Sequence, residues 1–420
     1  MLAIQLVNTV QIDLNNRYTI KTNKVHVAVP CFIPAQCQSC RSINTLTLEL
    51  LKNKYMIVVT LLGRIDLNAA SFTCHNPACG VTNEASVRNY VNAGYWTRSP
   101  TRTCTLFSQS YMVHWFHTKH QISLTAATKY KENPFINQIM FRTASSQYSY
   151  IQHKIDVDVK LNEFMRCKAC VLPCKYCHFD VIFKLYRYKA ARSGHLQYLF
   201  EDSIIISNAK IPRYVEEINI LKPQKGYDNC GNSTYKAGKE NTSRHRTQDE
   251  TGLASACCRH EVVLVTANLK SGENYRIVNF FHHFLWTLDL LKVSEGHEMH
   301  VEWMLLTTLL VTSTSATTSF AIMMRMIKEM SGFLSVLHGR THTWDFQVDN
   351  NGRWRDCACA SLGEDEEQEQ VFTRFARYGL VTKHMSPAFR NDHLSEVVVN
   401  HNKEKDYGMD YALVKRAKKV

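Results

Sequence analysis

The period of apolar residues changes several times along the chain, and each change marks an element. Tyr55-Met-Ile-Val-Val-Thr-Leu-Leu reads as strand in a strand-rich interval, while Tyr111–His117 and Phe135–Phe141 can each form an apolar helix face, with a break at Lys129–Pro134. From Asp180 the period is two: Val181, Phe183 and Leu185 share one face and Ile182, Lys184 and Tyr186 the other. That is a half-buried strand with Asp180 at its start. A short apolar run follows at Phe200–Ser207, and Lys222–Arg246 then turns to Lys, Gly, Asn, Ser and Thr, a solvated insert. Order resumes in the strand Glu261–Asn268. Ile277, Phe280, Phe281, Phe284, Leu285, Leu288 and Leu291 next draw one helix stripe. Near the end, Val371, Phe375 and Tyr378 give a helix apolar enough to dock on a sheet. Strands alternating with amphipathic helices predict an α+β or α/β fold.

Composition adds an anionic partner. The 420 residues suffice for two or three domains, and 45% hydrophobic against 21% charged residues says that most of the chain folds. Fifty Lys and Arg against 37 Asp and Glu leave a net charge of +13, which favours nucleic acid. Fifteen cysteines behind a start that lacks a basic n-region point to metal binding in a reducing compartment rather than to disulfides. Trp303–Met324 holds no charge and is long enough to span a bilayer, but nine of its 22 residues are Ser or Thr, so a membrane span is disfavoured.

Cysteine spacing carries the first candidate chemistry. Cys37-Gln-Ser-Cys40 and Cys74-His-Asn-Pro-Ala-Cys79, with strand between, suit a zinc ribbon with one pair on each turn. The plain alternative is small buried residues; Cys31 can replace a ligand, and Cys104 reads as core. Cys167-Lys-Ala-Cys170 and Cys174-Lys-Tyr-Cys177, followed by His178, repeat the pattern and can close a second tetrahedral zinc site. A carboxylate where a strand leaves a core, as at Asp180, is well sited for magnesium. Cys258 and His260 read either as a metal pair or, preferably, as a buried thiol and a capping histidine. His338 and His342 can share a helical face toward a metal. Glu364–Glu369 is an acidic run at a helix start, usually a solvated face with a favourable dipole.

The segment His178-Phe-Asp180-Val-Ile-Phe-Lys184-Leu-Tyr-Arg187-Tyr188-Lys189 resembles the H-x-D-G-N-x-K-L-Y-R-[FY]-K signature of the Kyakuja-Dileera-Zisupton (KDZ) transposases, most closely the Zisupton-like group, with Val181 and Ile182 in place of Gly-Asn. Asp249-Glu-Thr-Gly through Cys258-Arg-His260 resembles the family's D-E-x-G…C-R-H-G element, with Glu261 where Gly is usual. Phe333–His342 and Gly363–Val371 resemble F-L-S-V-x-H-x-x-x-H and G-E-E-x-E-Q-V, the latter with two residues inserted. Leu62–Leu67, the Cys74 turn and Ala93–Arg102 look like the cysteine-cluster (CxC) module that precedes the core in this family.

The resemblance implies a zinc-ribbon-like module at 1–100, a helical linker at 101–166, an RNase H-like core at 167–400 interrupted by the insert 222–246, and a basic tail at 401–420. It also implies an acid triad holding two magnesium ions for phosphodiester cleavage and strand transfer, with Asp180 the first acid and Glu364, or alternatively Glu369, the third. Transposon-end DNA rather than a small molecule would be the partner, with a homo-oligomer and a nuclear location. The family's second acid, in D-V-x-C-K-Y-W, has no counterpart between Glu302 and Met330, where no Asp occurs. An unrelated block between two good matches is what a shifted frame or misread splice would produce, and it leaves catalysis impaired. The other reading is a catalytically inactive, transposon-derived zinc protein acting through DNA or protein contacts.

Overall fold

The computed structural model describes residues 31–99, 102–121, 138–161, 163–170, 177–191, 198–200, 202–219, 247–270, 275–287 and 367–418, with 344 and 348. The chain divides into two compact units, Met1–Lys154 and Ile155–Val420.

In the first unit, β1 (Leu46–Thr60) and β2 (Gly63–Cys74) form a long antiparallel hairpin, with a register shift between Leu50 and Tyr55. β3 (Thr82–Glu84) pairs with β2; β4 (Tyr95–Ser99) and β5 (Arg102–Ser108) complete a sheet of order β3-β2-β1-β5-β4, with β5 parallel to β1. Met56, Val58, Ala70, Phe72 and Leu106 pack on one side with Tyr90 of α1 (Val87–Asn92). On the other side Val59 and Phe107 meet Tyr111 and Met112 of α2 (Gln109–Gln121) and Phe141, Ala144 and Tyr148 of α3 (Gln138–Lys154).

The expected boundary at 100 thus falls inside a sheet, and the helices expected as a linker close its second face. Stacked and edge-on rings of Phe107, Tyr111 and Phe141, with centroids 5.3–6.2 Å apart, give α2 and α3 apolar partners that a free linker would lack. Cys104, expected in the core, is exposed on β5.

The second unit opens on a π-helical turn, Ile155–Val159, and is built on the sheet β6-β10-β11-β8. β6 (Cys177–Ile182), β10 (Gly252–Cys258) and β11 (Val263–Leu269) form an antiparallel meander, and β8 (Ile205–Ile206) runs parallel to β11. β7 (Arg187–Tyr188) pairs with β9 (Gln248–Glu250) in a separate ribbon. One sheet face, with Phe179, Val181, Ala254, Ala256, Val265 and Ala267, packs against Tyr214 of α4 (Lys210–Asn219) and Ile277, Phe280, Phe281 and Leu285 of α5 (Tyr275–Thr287). Leu288 and Leu291 of the expected stripe, and the uncharged stretch 303–324, lie outside the described residues. Among the described residues no helix is long and apolar enough to cross a membrane.

β6 ends at Ile182, so Asp180 lies within the strand rather than at its start, and Phe183–Leu185 turn into a 3-10 helix where the alternation predicts more strand. Tertiary contacts end it. A Cβ at Gly252 would lie 2.6 Å from the Ile182 carbonyl oxygen, so only glycine lets β10 approach there.

In 367–418, α6 (Glu367–Phe375), the short α7 (Gly379–Thr382), α8 (Pro387–Tyr407) and α9 (Met409–Ala417) follow one another. α6 packs on β6 and β10, and α8 on β11. The expected basic tail from 401 is the end of α8, with His401 and Asn402 buried, followed by α9. α8 buries polar groups as well as Leu394, Val397, Val398 and Val399. The Asp392 carboxylate accepts the Leu199 and Phe200 amides at 2.8 and 3.3 Å, and the Asn402 side chain accepts from the Val263 amide and donates to the Val263 and Phe164 carbonyls.

Arg390 on α8 is fully buried. Its guanidinium donates to the Leu185 carbonyl at 2.6 Å, the Gly252 carbonyl at 3.3 Å and Asn268 Oδ1 at 2.5 Å, and it pairs with Glu250 at 2.7 Å. Arg187 shares Glu250 at 3.6 Å and pairs with Asp249.

Removing one member of a buried ion pair strands the other. Arg390→Ala is therefore expected to cost about 3–5 kcal/mol in urea unfolding, and Arg390→Lys to recover only part, because an ammonium lacks the planar fork.

A pH dependence follows as well. Burial pushes His282 and His401 down to about 4 and Asp392 up to about 7. Between about pH 6.5 and 4 the unfolded chain protonates histidines that the fold keeps neutral, so stability falls as pH falls; Asp392, protonated in the fold below about 7, works the other way. Unfolding free energies at about pH 7, 5.5 and 4.5 should show a flatter acid limb for His282→Leu and a steeper one for Asp392→Asn.

Candidate metal centres and the acid-bearing strand

In the first unit, Cys37, Cys40, Cys74 and Cys79 place their sulfurs within 4.8 Å of one another. Two edges measure 3.9 Å (Cys37–Cys79) and 3.6 Å (Cys40–Cys74). A tetrahedron with zinc–sulfur bonds of about 2.3 Å has edges of about 3.8 Å, so the four fit a metal such as zinc without rearrangement. Tight turns deliver the pairs: the Cys37 amide donates to Ser42 and that of Arg41 back to Cys37, with Arg41 at φ 60°, while the Cys79 and Gly80 amides donate to Asn76, with Gly80 at φ 56°. Hydroxyls of Ser42 and Thr45 lie 3.2 and 3.3 Å from the Cys40 and Cys74 sulfurs, and the Asn76 amide donates to Cys40, the outer contacts that hold thiolates in place.

Electrostatics in the cluster favour a cation. Hydrogen bonds from Ser42 bring Cys40 down to about 6. The Val81 amide favours the Cys79 thiolate, yet burial and the neighbouring thiols override it and push Cys79 up to about 11. Four thiolates cannot ionise together unaided; a dication between them removes the conflict. Cys31, the candidate substitute ligand, packs against the apolar core, and burial pushes its thiol up to about 12.

The second centre differs from the spacing's expectation. The ligand atoms within 4.8 Å of one another are those of Cys167, Cys170, Cys258 and His260. His260 Nδ1 lies 3.4, 3.3 and 4.0 Å from the three sulfurs, and a tetrahedral zinc with nitrogen and sulfur ligands has edges of about 3.6 Å. Cys174 lies outside the described residues. Cys177, expected as a ligand, stands on β6 opposite Cys258 and outside the four.

Cys258 and His260, read from sequence as a buried thiol and a cap, converge because the β10–β11 turn is tight. The Glu261 amide donates to Cys258, the Cys258 amide donates to Val262, and Glu261 takes φ 61°. That left-handed backbone suits glycine, and the strained Glu261 is held by an ion pair to Lys405. The signal that could have found the pair was a Cys-x-His immediately ahead of the strand expected from Glu261. In the cluster, the Cys170 hydrogen bond favours the Cys167 thiolate, but Cys258 and burial outweigh it and push Cys167 up to about 12.

Asp180 sits on the sheet face turned away from the α5 core. One carboxylate oxygen accepts the Val181 amide at 2.6 Å, and Ser255 lies directly opposite on β10. Across from them, Gln368, Val371, Phe372 and Phe375 of α6 fall at i, i+3, i+4 and i+7 and are all buried. Gln368 donates to Ser255 Oγ at 2.5 Å. Its Oε1 is buried and has no partner. The helix thus docks on the acid-bearing strand, and the residue it turns inward is Gln368, with Glu369 half-exposed. Glu364, His338, His342 and the interval 296–330 lie outside the described residues.

A CxC3 like cysteine cluster associated with KDZ transposases matches residues 26–135, and the Kyakuja-Dileera-Zisupton transposase family matches residues 174–402. No curated protein and no solved structure matches significantly.

The two centres predict a metal count that separates the alternatives for the second. The purified chain should hold two zinc ions by elemental mass spectrometry, and Cys258→Ser or His260→Ala should lower this to one, whereas Cys177→Ala should leave it at two.

Proposed function

Because the chain belongs to the Kyakuja-Dileera-Zisupton transposases, with a cysteine-cluster module ahead of the transposase domain, we propose that it is a transposon-derived, transposase-like protein that binds DNA and carries the first acid of a magnesium site at Asp180. The observation that carries this reading is the placement of Asp180 within β6 of the antiparallel meander β6-β10-β11, with α6 docked over the same face. An RNase H-like core is expected to carry its first acid on an antiparallel trio of this kind. Its acids project from rigid elements onto one patch, and a strand buried along its length, as β6 is, holds a carboxylate with little freedom.

The residues around Asp180 fit a hydrated magnesium ion, which takes one or two carboxylates and keeps several waters. Asp180 supplies the charge, and Ser255 and Gln368 supply neutral oxygens beside it. When bound, magnesium supplies Lewis-acid stabilisation to a phosphodiester undergoing in-line attack. Glu364 stands four residues before Gln368 in the sequence and is the third acid of the proposal. The clusters at Cys37, Cys40, Cys74 and Cys79 and at Cys167, Cys170, Cys258 and His260 are structural zinc sites in this reading. The excess of basic residues, +13 over the chain, serves the phosphate backbone.

The missing second acid favours a weak or silent active site over an efficient one. Losing a carboxylate removes both charge and geometry from a two-metal centre. The chain acts in the nucleus on this reading, on DNA at transposon ends and as a homo-oligomer.

Binding to duplex DNA should be tight at low salt and fall steeply as salt rises. On supercoiled plasmid, magnesium-dependent nicking should be slow and drop to background in Asp180→Ala with DNA binding unchanged. Full zinc content and DNA binding without nicking would leave the inactive, zinc-binding interaction protein standing. Absence of DNA binding would defeat both.

A further inference from the structure

Gln368 occupies a position that the rest of its helix gives to core residues. Val371, Phe372 and Phe375, on the same stripe, are buried and apolar, and nothing in the packing of α6 calls for an amide at the head of that stripe. The amide is nonetheless fixed, since Nε2 is tied to Ser255 Oγ. Ser255 in turn faces Asp180 across the β6–β10 ladder, where directly opposed side chains stand about 5 Å apart at Cβ. This anchoring turns the other end of the amide, Oε1, into a held acceptor, buried and without a protein partner. Most buried polar atoms are satisfied in folded proteins, and an orphan acceptor on the helix docked over the Asp180 strand points to a water or ion as its partner.

We propose that Gln368 is a positioning residue of the divalent-cation site at Asp180, its Oε1 accepting a hydrogen bond from a water in the cation's shell while Ser255 locks the amide. This rests on the reading of Asp180 as a metal-binding acid. Asp180 holds the cation, Gln368 orients one water of its octahedron, and the site is electrostatically weak because the oxygen offered by α6 is neutral. The chemistry favours a hard, hydrated dication such as magnesium or manganese, which binds oxygen and retains water, over a thiophilic metal.

Manganese binding to the full-length, zinc-loaded chain, followed by the free-ion paramagnetic resonance signal and by titration calorimetry in magnesium-free buffer, tests this without relying on nicking. Wild type should show a weak site that Asp180→Asn abolishes. Gln368→Leu should weaken that site about 10-fold, the size of effect that outer contacts have on metal affinity. Gln368→Glu, which brings charge to the same place, should tighten it by about the same factor. Unfolding midpoints without manganese control for packing, and Gln368→Glu keeps the side chain's volume if Gln368→Leu folds poorly. If Asp180→Asn removes the site while Gln368→Leu and Gln368→Glu leave its affinity unchanged, the role of Gln368 is overturned and Asp180 stands. If wild type binds no manganese, or Asp180→Asn binds as well as wild type, the reading of Asp180 falls and Gln368 with it.

Discussion

A guanidinium with no access to water holds the second unit in register. Arg390 reaches four elements at once from α8: the carbonyl of Leu185 after β6, the carbonyl of Gly252 at the head of β10, Asn268 on β11, and Glu250 of the β7–β9 ribbon. A charge buried this deeply needs acceptors for its terminal nitrogens from every element around it, so the strand ends cannot shift independently. This explains why β6 stops at Ile182. The Leu185 carbonyl turns to Arg390 and not to a neighbouring strand, and the 3-10 turn is the backbone conformation that aims it there. Asp180, two residues before that stop, inherits its position from a contact it does not itself make.

The opposite end of the meander is held by different chemistry. Where Arg390 grips the β10 entry, Cys258 and His260 grip the β10 exit through the cluster with Cys167 and Cys170. The turn between them places Glu261 in a left-handed conformation, and α8 braces it twice, through His401 on the Glu261 carbonyl and Lys405 on its carboxylate. Metal affinity at such a centre is part of the folding free energy, because the unfolded chain has no preformed site. One pair of strands is thus pinned by an ion pair at one end and a cysteine–histidine cluster able to hold a metal at the other, which leaves little freedom for the acid-bearing strand beside it.

How far the sequence foretold this depends on the range of the interactions. The cluster at Cys37, Cys40, Cys74 and Cys79 is readable because each pair sits on a local turn whose spacing survives in the sequence. Helix α5 is readable because its stripe is apolar and continuous. The second centre is not, since two adjacent CxxC pairs suggest a local site while the fold brings Cys167 within reach of His260, 93 residues away. α8 is opaque for another reason: it is buried almost all round, with Arg390, Asp392, Ser395, His401 and Asn402 interleaved with Leu394, Val397, Val398 and Val399, so no single apolar stripe marks it. The end of β6 was hidden too, because Val181, Phe183 and Leu185 keep alternating after tertiary contacts have ended the strand. Gln368 passes as part of an acidic, solvated run until α6 is seen against the sheet.

The two faces of that sheet differ in a way that bears on charge. One is apolar throughout, with Phe179, Val181, Ala254, Ala256 and Ala267 under α4 and α5. The other sets Asp180, Ser255 and Thr266 opposite one another across three strands, with Asn268 one repeat further along β11. A buried polar row is costly unless each member is matched. Thr266 is matched by the Ile204 carbonyl and Asn268 by Arg390. The two guanidiniums of the cluster, Arg390 and Arg187, meet two carboxylates, Glu250 and Asp249, so the cluster carries no net charge toward its neighbours. The fold thus sets its most deeply buried positive charge, Arg390, against carboxylates at the edge of the polar row rather than within it.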